Sequence, residues 1–170
     1  MVENGEGGEG GHYYANKGIL TKSGSYFEAL FSPENQHFVE NQTGRIVVKD
    51  TTNSAMEALV WYLYGDPIKI TVSNVVNVLE LADRWSINNL CNYCIWFIQS
   101  SICESNVIDF LKWASYTLHK DTLHKDKYED LLLFIRTYFK KNCLSLWETQ
   151  TDEMKTLSTE HIEIYSSTTK

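Results

Sequence analysis

The sequence has no apolar run long enough to cross a bilayer and no leader in which basic residues precede apolar ones. A membrane-spanning helix needs about 20 consecutive apolar residues, and a secretory signal needs its own apolar segment. Neither a membrane span nor a signal is therefore expected. We expect an intracellular protein of the cytoplasm, the nucleus or both, whose 43% hydrophobic residues are enough to build a core.

Clustered positive charge is also missing from the chain. Its 170 residues carry 15 lysines and arginines against 22 acidic residues, which gives a formal net charge of -7. Proteins bind phosphate backbones through clustered cations, so direct binding of nucleic acid is not expected. Basic surfaces on protein partners suit this charge better.

The sequence contains no recognisable set of catalytic residues. There is no Gly-x-Ser-x-Gly elbow and no pair of carboxylates in an identifiable site, so neither enzyme activity nor a cofactor is predicted. The stretch from Gly5 to Gly11 is rich in glycine but lacks the Lys-Ser/Thr of a phosphate-binding loop, and Glu6 and Glu9 would repel a phosphate. A turn or a loose amino terminus is expected there.

Cys91 and Cys94 are spaced like half of a zinc site or like a redox pair. A second ligand pair at metal spacing is missing, and a redox pair normally stands at a helix start after a strand. Both cysteines instead share an apolar stripe with Ile87, Leu90 and Ile98. They are predicted to be buried and reduced, and no metal site is predicted.

Apolar residues recur at helical spacing in four successive segments, each of which predicts an amphipathic helix. The four stripes are Met56, Leu59, Val60 and Leu63; Val75, Val78, Leu79 and Ala82; Ile87, Leu90, Cys91, Cys94, Ile95 and Ile98; and Val107, Phe110, Leu111, Ala114 and Leu118. The serines expected to cap these helices are Ser54, Ser73, Ser86 and Ser105.

Two short β-branched runs, Arg45–Lys49 and Ile68–Ile70, predict strands. Together with a hairpin across the glycine-rich turn, they indicate an α+β fold with about three short strands at 12–101, flanked by helices. A longer helix is predicted from Lys125 to Asn142, followed by short helical pieces at 152–157 and 159–165. The segment after residue 101 is therefore expected to be all-α.

Several of these segments resemble the successive motifs of the BTB/POZ family, in its order and at roughly its spacing. The matching stretches are Asn16-Lys17-Gly18-Ile19-Leu20, Ser25-Tyr26-Phe27-x-x-Leu30-Phe31, Arg45 to Asp50, Ala58-Leu59-x-x-x-Leu63-Tyr64-Gly65 and Asn74 to Asp83. The later helices are similar to the BACK or 3-box extension that follows BTB domains in many ubiquitin-ligase adaptors. The resemblance implies a BTB/POZ domain at 12–101 and a helical extension at 102–165, with a glycine- and glutamate-rich terminus at 1–11 and a frayed tail at 166–170.

The resemblance also implies a protein-interaction role, as an adaptor or scaffold for a cullin-based E3 ubiquitin ligase. Cullin-binding members often carry a hydrophobic-x-Glu motif, which falls here on Val75-Val76-Asn77, with an amide in place of the carboxylate. Val75 and Asn77 are the expected cullin contacts, and the competing interpretation places Val75 in the core and Asn77 in solvent. The alternative function is a BTB-type module that self-associates or binds a regulator, with no ubiquitin-ligase role.

The amino terminus departs from the family pattern, because the strand and helix that usually precede the hairpin look absent. In many BTB homodimers that segment builds much of the interface. Its absence would leave an apolar surface partly uncovered at Tyr13, Tyr14, Ile19 and Tyr26. We expect weak, concentration-dependent self-association through this surface, or pairing with another BTB-containing chain.

Overall fold

The computed structural model describes residues 2–4, 11–120 and 125–157. These residues contain three strands, β1 (Val2–Asn4), β2 (His12–Tyr13) and β3 (Ile46–Val48), nine α-helices and a 3-10 turn at Pro33–Asn35. The helices are α1 (Lys17–Ser23), α2 (Ser25–Leu30), α3 (Val39–Thr43), α4 (Asn53–Leu63), α5 (Val75–Arg84), α6 (Asn88–Ser101), α7 (Val107–Lys120), α8 (Lys125–Thr149) and α9 (Thr151–Thr156). The chain divides into two compact units, residues 1–98 and 99–170.

The sheet of the first unit is small and mixed, with the strand order β2-β1-β3. Strand β1 pairs antiparallel with β2 and parallel with β3, so that Val2 lies between Tyr13 and Ile46. In β3, Ile46 and Val48 are buried while Val47 is exposed, as the alternation of a strand requires. The predicted α+β class and the strand within Arg45–Lys49 are confirmed. The sheet begins before residue 12, however, since its central strand is β1 at Val2–Asn4.

The strand predicted at Ile68–Ile70 is wrong, since residues 66–71 form neither helix nor strand. Two backbone groups of this loop bond to the Asn74 side chain instead of to a neighbouring strand. The Lys69 carbonyl accepts from Asn74 Nδ2 at 3.1 Å, and the Thr71 N–H donates to Asn74 Oδ1 at 2.8 Å. β-branched composition marks residues that suit a strand, but a strand also needs a partner.

The four predicted amphipathic helices are confirmed as α4 to α7, but none of their starts uses the serine expected to cap it. Helix α4 is capped by Thr52, whose hydroxyl accepts from the Ala55 N–H at 3.2 Å. Ser86 follows α5 instead, in the left-handed conformation at φ 56°, and the next N–H, that of Ile87, donates to the Ala82 carbonyl at 2.8 Å. Caps depend on local backbone geometry, which residue spacing alone does not specify.

The second unit is all-helical over its described residues, as predicted. Helix α8 continues to Thr149, past the predicted end at Asn142. Asn142 remains helical and donates through Nδ2 to the Tyr138 carbonyl at 2.8 Å, and the buried stripe runs on to Leu146, which has no exposed surface. The short piece predicted at 152–157 is present as α9, while the piece at 159–165 and the tail lie outside the described residues.

The core of the first unit joins α2 to the end of α5. The Phe27 and Trp85 rings meet edge to face, with centroids 4.8 Å apart, and both side chains are buried. At this contact the backbone between α1 and α2 approaches so closely that a Cβ on Gly24 would lie 2.6 Å from the Trp85 carbonyl oxygen. Gly24 has an extended backbone, so the constraint is lack of space.

We therefore expect Gly24→Ala to destabilise the chain by about 1–3 kcal/mol, because the added methyl group must push two backbone segments apart. Urea denaturation followed by circular dichroism measures the change. The control is Ser25→Ala at the next, exposed position, which should change the free energy of unfolding by less than about 0.5 kcal/mol. Equal stability of the two variants would contradict the close approach.

Cys91 and Cys94 are both fully buried in α6, which confirms their predicted burial. Burial, together with the nearby Cys91 thiol, raises the pKa of Cys94 to about 12. A raised pKa means that the thiolate, which is the reactive form, is scarce at neutral and mildly alkaline pH. Cys103, by contrast, is exposed, and Cys143 is half-buried.

In a Cys103→Ser/Cys143→Ser variant, we expect Ellman's reagent to label the folded chain very slowly at pH 8. With a pKa of about 12, only about one Cys94 thiol in ten thousand is ionised at that pH, and access requires opening of the core. The same variant in denaturant should react completely. Rapid labelling of the folded chain would show that α6 does not bury these thiols.

Candidate partner-binding surface

The two residues expected to contact a cullin lie at the start of α5 but differ in exposure. Val75 has no exposed surface, whereas Asn77 is half-buried. A fully buried side chain does not touch a partner while the fold is intact. The prediction of Val75 as a direct contact therefore has to be corrected to a core position, and Val75→Glu would bury a charge and disrupt packing instead of testing binding.

Exposed side chains of α4 and of the segment before α5 form what we name the loop surface: Trp61, Lys69 and Val72. The Lys69 ammonium lies 5.3 Å from the centroid of the Trp61 ring, within the range of a cation–π interaction. Trp61 is 38% exposed and Val72 41% exposed. This surface thus offers a cation, an indole ring and an apolar side chain to a partner.

The buried side chain of Asn74, which is 3% exposed, fixes the backbone of the segment that carries Lys69. Besides its bonds to Lys69 and Thr71, Asn74 donates through Nδ2 to Ser54 Oγ at 3.0 Å and so connects the loop to the first turn of α4. Asn74 is not among the residues predicted to be functional. A signal was present, because Ser-Asn-Val occurs at 73–75 and again at 105–107.

The residues expected to support self-association are only partly available. Tyr14 is 75% exposed, whereas Tyr13, Ile19 and Tyr26 are half-buried. The Tyr13 hydroxyl donates to the Asn53 carbonyl at 3.1 Å, and the Tyr26 ring packs edge to face on Phe27 at 5.2 Å. Tyr14 is therefore the member of this group that presents most of its ring to a partner.

The two half-buried tyrosines Tyr13 and Tyr26 both have a raised pKa. Burial raises the pKa of Tyr13, and the negative charge of Glu57 raises it further. Burial also raises the pKa of Tyr26, with Glu40 adding to the rise and Arg84 opposing it. Both hydroxyls therefore stay protonated at neutral pH, since the ordinary tyrosine pKa is already about 10.

The described residues present exposed aromatic and apolar side chains that suit contacts with another protein. The described residues hold no group of three or more His, Cys, Asp or Glu side chains placed to bind a metal. No helix in the described part of the chain is both long and apolar enough to span a membrane. In the first unit, a small sheet and its helices carry the exposed side chains of Tyr14, Trp61 and Val72.

The chain belongs to the BTB/POZ domain family, whose model matches residues 2–102, more than half of the sequence. BTB/POZ domains are protein-interaction modules, and helices α7 to α9 lie beyond the matched region.

Three relatives illustrate the similarity. The Kelch repeat and BTB domain-containing protein 1 of vaccinia virus (strain Copenhagen) is 30% identical over 100 residues, which cover 59% of this chain and 17% of that protein. Kelch-like protein 38 of Mus musculus is 27% identical over 124 residues, 73% of this chain and 20% of that protein. Kelch-like protein 11 of Homo sapiens is 30% identical over 120 residues, 66% of this chain and 16% of that protein. The chain thus spans a fifth or less of the length of these relatives.

Proposed function

We propose that this protein is an adaptor or scaffold that connects a cullin-based E3 ubiquitin ligase to another protein. The observation that carries the proposal is the half-buried Asn77 of α5, which occupies the third position of the hydrophobic-x-Glu motif and leaves part of its side chain open to a partner. Family membership supports an interaction role, and the motif position supports a cullin as partner. An intracellular location, and a division into a BTB/POZ domain at 12–101 and a helical extension at 102–165, remain predictions.

The amide of Asn77 changes the chemistry of this contact compared with a glutamate. An amide donates and accepts hydrogen bonds but brings no charge, so it lacks the stronger, charge-assisted bond that a carboxylate makes. The loop surface compensates in part by offering the Trp61 ring and the Val72 side chain to the partner. We expect a weaker complex than a full motif would give, with a larger apolar contribution.

Restoring the carboxylate should therefore strengthen cullin binding. Asn77→Glu is expected to tighten the complex with a cullin amino-terminal domain by about threefold to tenfold, as measured by isothermal titration calorimetry. Asn77→Ala should weaken it.

Asn92→Glu is the matched control, because it makes the same chemical change at an exposed position of α6 and should leave the affinity unchanged. A wild-type chain that fails to bind the cullin domain would refute the adaptor role. An equal effect of both glutamates would instead show that overall charge, and not Asn77, determines the affinity.

The alternative function is self-association, or binding of another BTB-containing chain or regulator, without a ubiquitin-ligase role. The observation that favours it is Tyr14, which is 75% exposed directly after the edge strand β2. A large exposed aromatic side chain provides contact area at low entropic cost, as tyrosines do in many interfaces.

If this alternative holds, the chain should self-associate weakly, and Tyr14→Glu should shift the equilibrium toward monomer at least threefold. Sedimentation velocity over a range of concentrations gives the dissociation constant. Tyr116→Glu provides the control, since Tyr116 is 59% exposed on α7. A chain that is monomeric at every concentration, or a tight dimer indifferent to Tyr14→Glu, would contradict this role for Tyr14.

A further inference from the structure

The three hydrogen bonds of the buried Asn74 side chain connect the loop before α5 to helix α4. Its Oδ1 accepts from the Thr71 N–H at 2.8 Å, while Nδ2 donates to Ser54 Oγ at 3.0 Å and to the Lys69 carbonyl at 3.1 Å. If this buried amide lost its partners, its desolvation penalty would no longer be offset by hydrogen bonds. Loop conformations that break these bonds are therefore strongly disfavoured.

The loop they hold has no regular structure of its own between residues 66 and 71, and it is attached to α4 at both ends. At its beginning the Asp66 N–H donates to the Trp61 carbonyl at 3.0 Å. At its end Asn74 reaches Ser54 in the first turn of α4. Fixing both ends of a short loop restricts the backbone directions available to the residues between them.

We propose that Asn74 is a positioning residue that sets the orientation in which Lys69 and Val72 meet a protein partner. The Lys69 carbonyl accepts a hydrogen bond from Asn74 Nδ2, while the exposed Lys69 side chain places its ammonium over the Trp61 ring. The identity of the partner as a cullin rests on the proposed function, but the fixing of the loop by Asn74 does not.

Asn106 supplies an internal comparison with the same local chemistry. It is 7% exposed, its Oδ1 accepts from the Cys103 N–H at 2.9 Å, and its Nδ2 donates to the Ser101 carbonyl at 3.0 Å. These bonds stay within 101–106, in the second unit. Loss of the Asn106 amide should therefore destabilise the chain without loosening the loop surface.

The test compares Asn74→Asp with Asn106→Asp in the full chain. Each change keeps the side-chain shape and an acceptor oxygen but removes both N–H donors and places an oxygen against a carbonyl. Hydrogen exchange, followed by NMR, reports on the amides of residues 69–73, and calorimetry reports on binding to a cullin amino-terminal domain. Ser54→Ala is a milder variant in case Asn74→Asp does not fold, because it removes a single partner of Asn74.

We expect Asn74→Asp to speed exchange at 69–73 about tenfold and to weaken cullin binding by a similar factor, with a smaller change in the same direction for Ser54→Ala. Asn106→Asp should change neither quantity. Unchanged exchange at 69–73, or faster exchange with unchanged affinity, would overturn the positioning role. If the wild-type chain binds no cullin, the proposed function fails, and the exchange data alone still decide whether Asn74 fixes the loop.

Discussion

Burial of the apolar face of α5 is the constraint on which the rest of the first unit depends. Val75, Val78, Leu79 and Ala82 lose all their exposed surface, and this removal of apolar area from water is the main favourable term in folding. The end of the same helix adds two further connections, since Trp85 packs on Phe27 of α2 and Arg84 donates to the Lys49 carbonyl after β3 at 2.9 Å. The position of α5 thereby also sets the position of the loop before it.

Residue spacing predicted the helices well because the spacing of apolar residues defines the face that each helix buries. Helices α4 to α7 bury most of the described residues in the stripes that their apolar periodicity indicates, although Val60, Leu63 and Ile95 are half-buried. Strand β3 buries alternate residues. The sequence was less informative where one side chain replaces a regular element. At Ile68–Ile70 the residues favour a strand, but the side chain of Asn74 takes the backbone hydrogen bonds, and such tertiary substitution leaves no periodic signal.

In the candidate site, too, tertiary contacts were harder to predict than periodic features. Val75 was assigned both to the buried stripe of α5 and to a contact with a partner, and these two roles exclude each other once the helix packs. The interaction of Lys69 with Trp61 brings together residues from a loop and a helix, so no local pattern predicts it. Tyr14 could be singled out as an aromatic residue near the hairpin, but its exposure depends on how β2 pairs at the edge of the sheet.

Helix α8 has a mechanical consequence of its own. Its 25 residues correspond to about 37 Å along the axis, roughly twice the length of an ordinary helix in a globular protein. Its inward stripe is anchored by Leu131, Ile135 and Leu146, which lie within the core over most of that length. A helix supported in this way acts as a stiff spacer, so a tag or fusion partner attached close behind Thr149 would be held at a nearly fixed distance from the helix start.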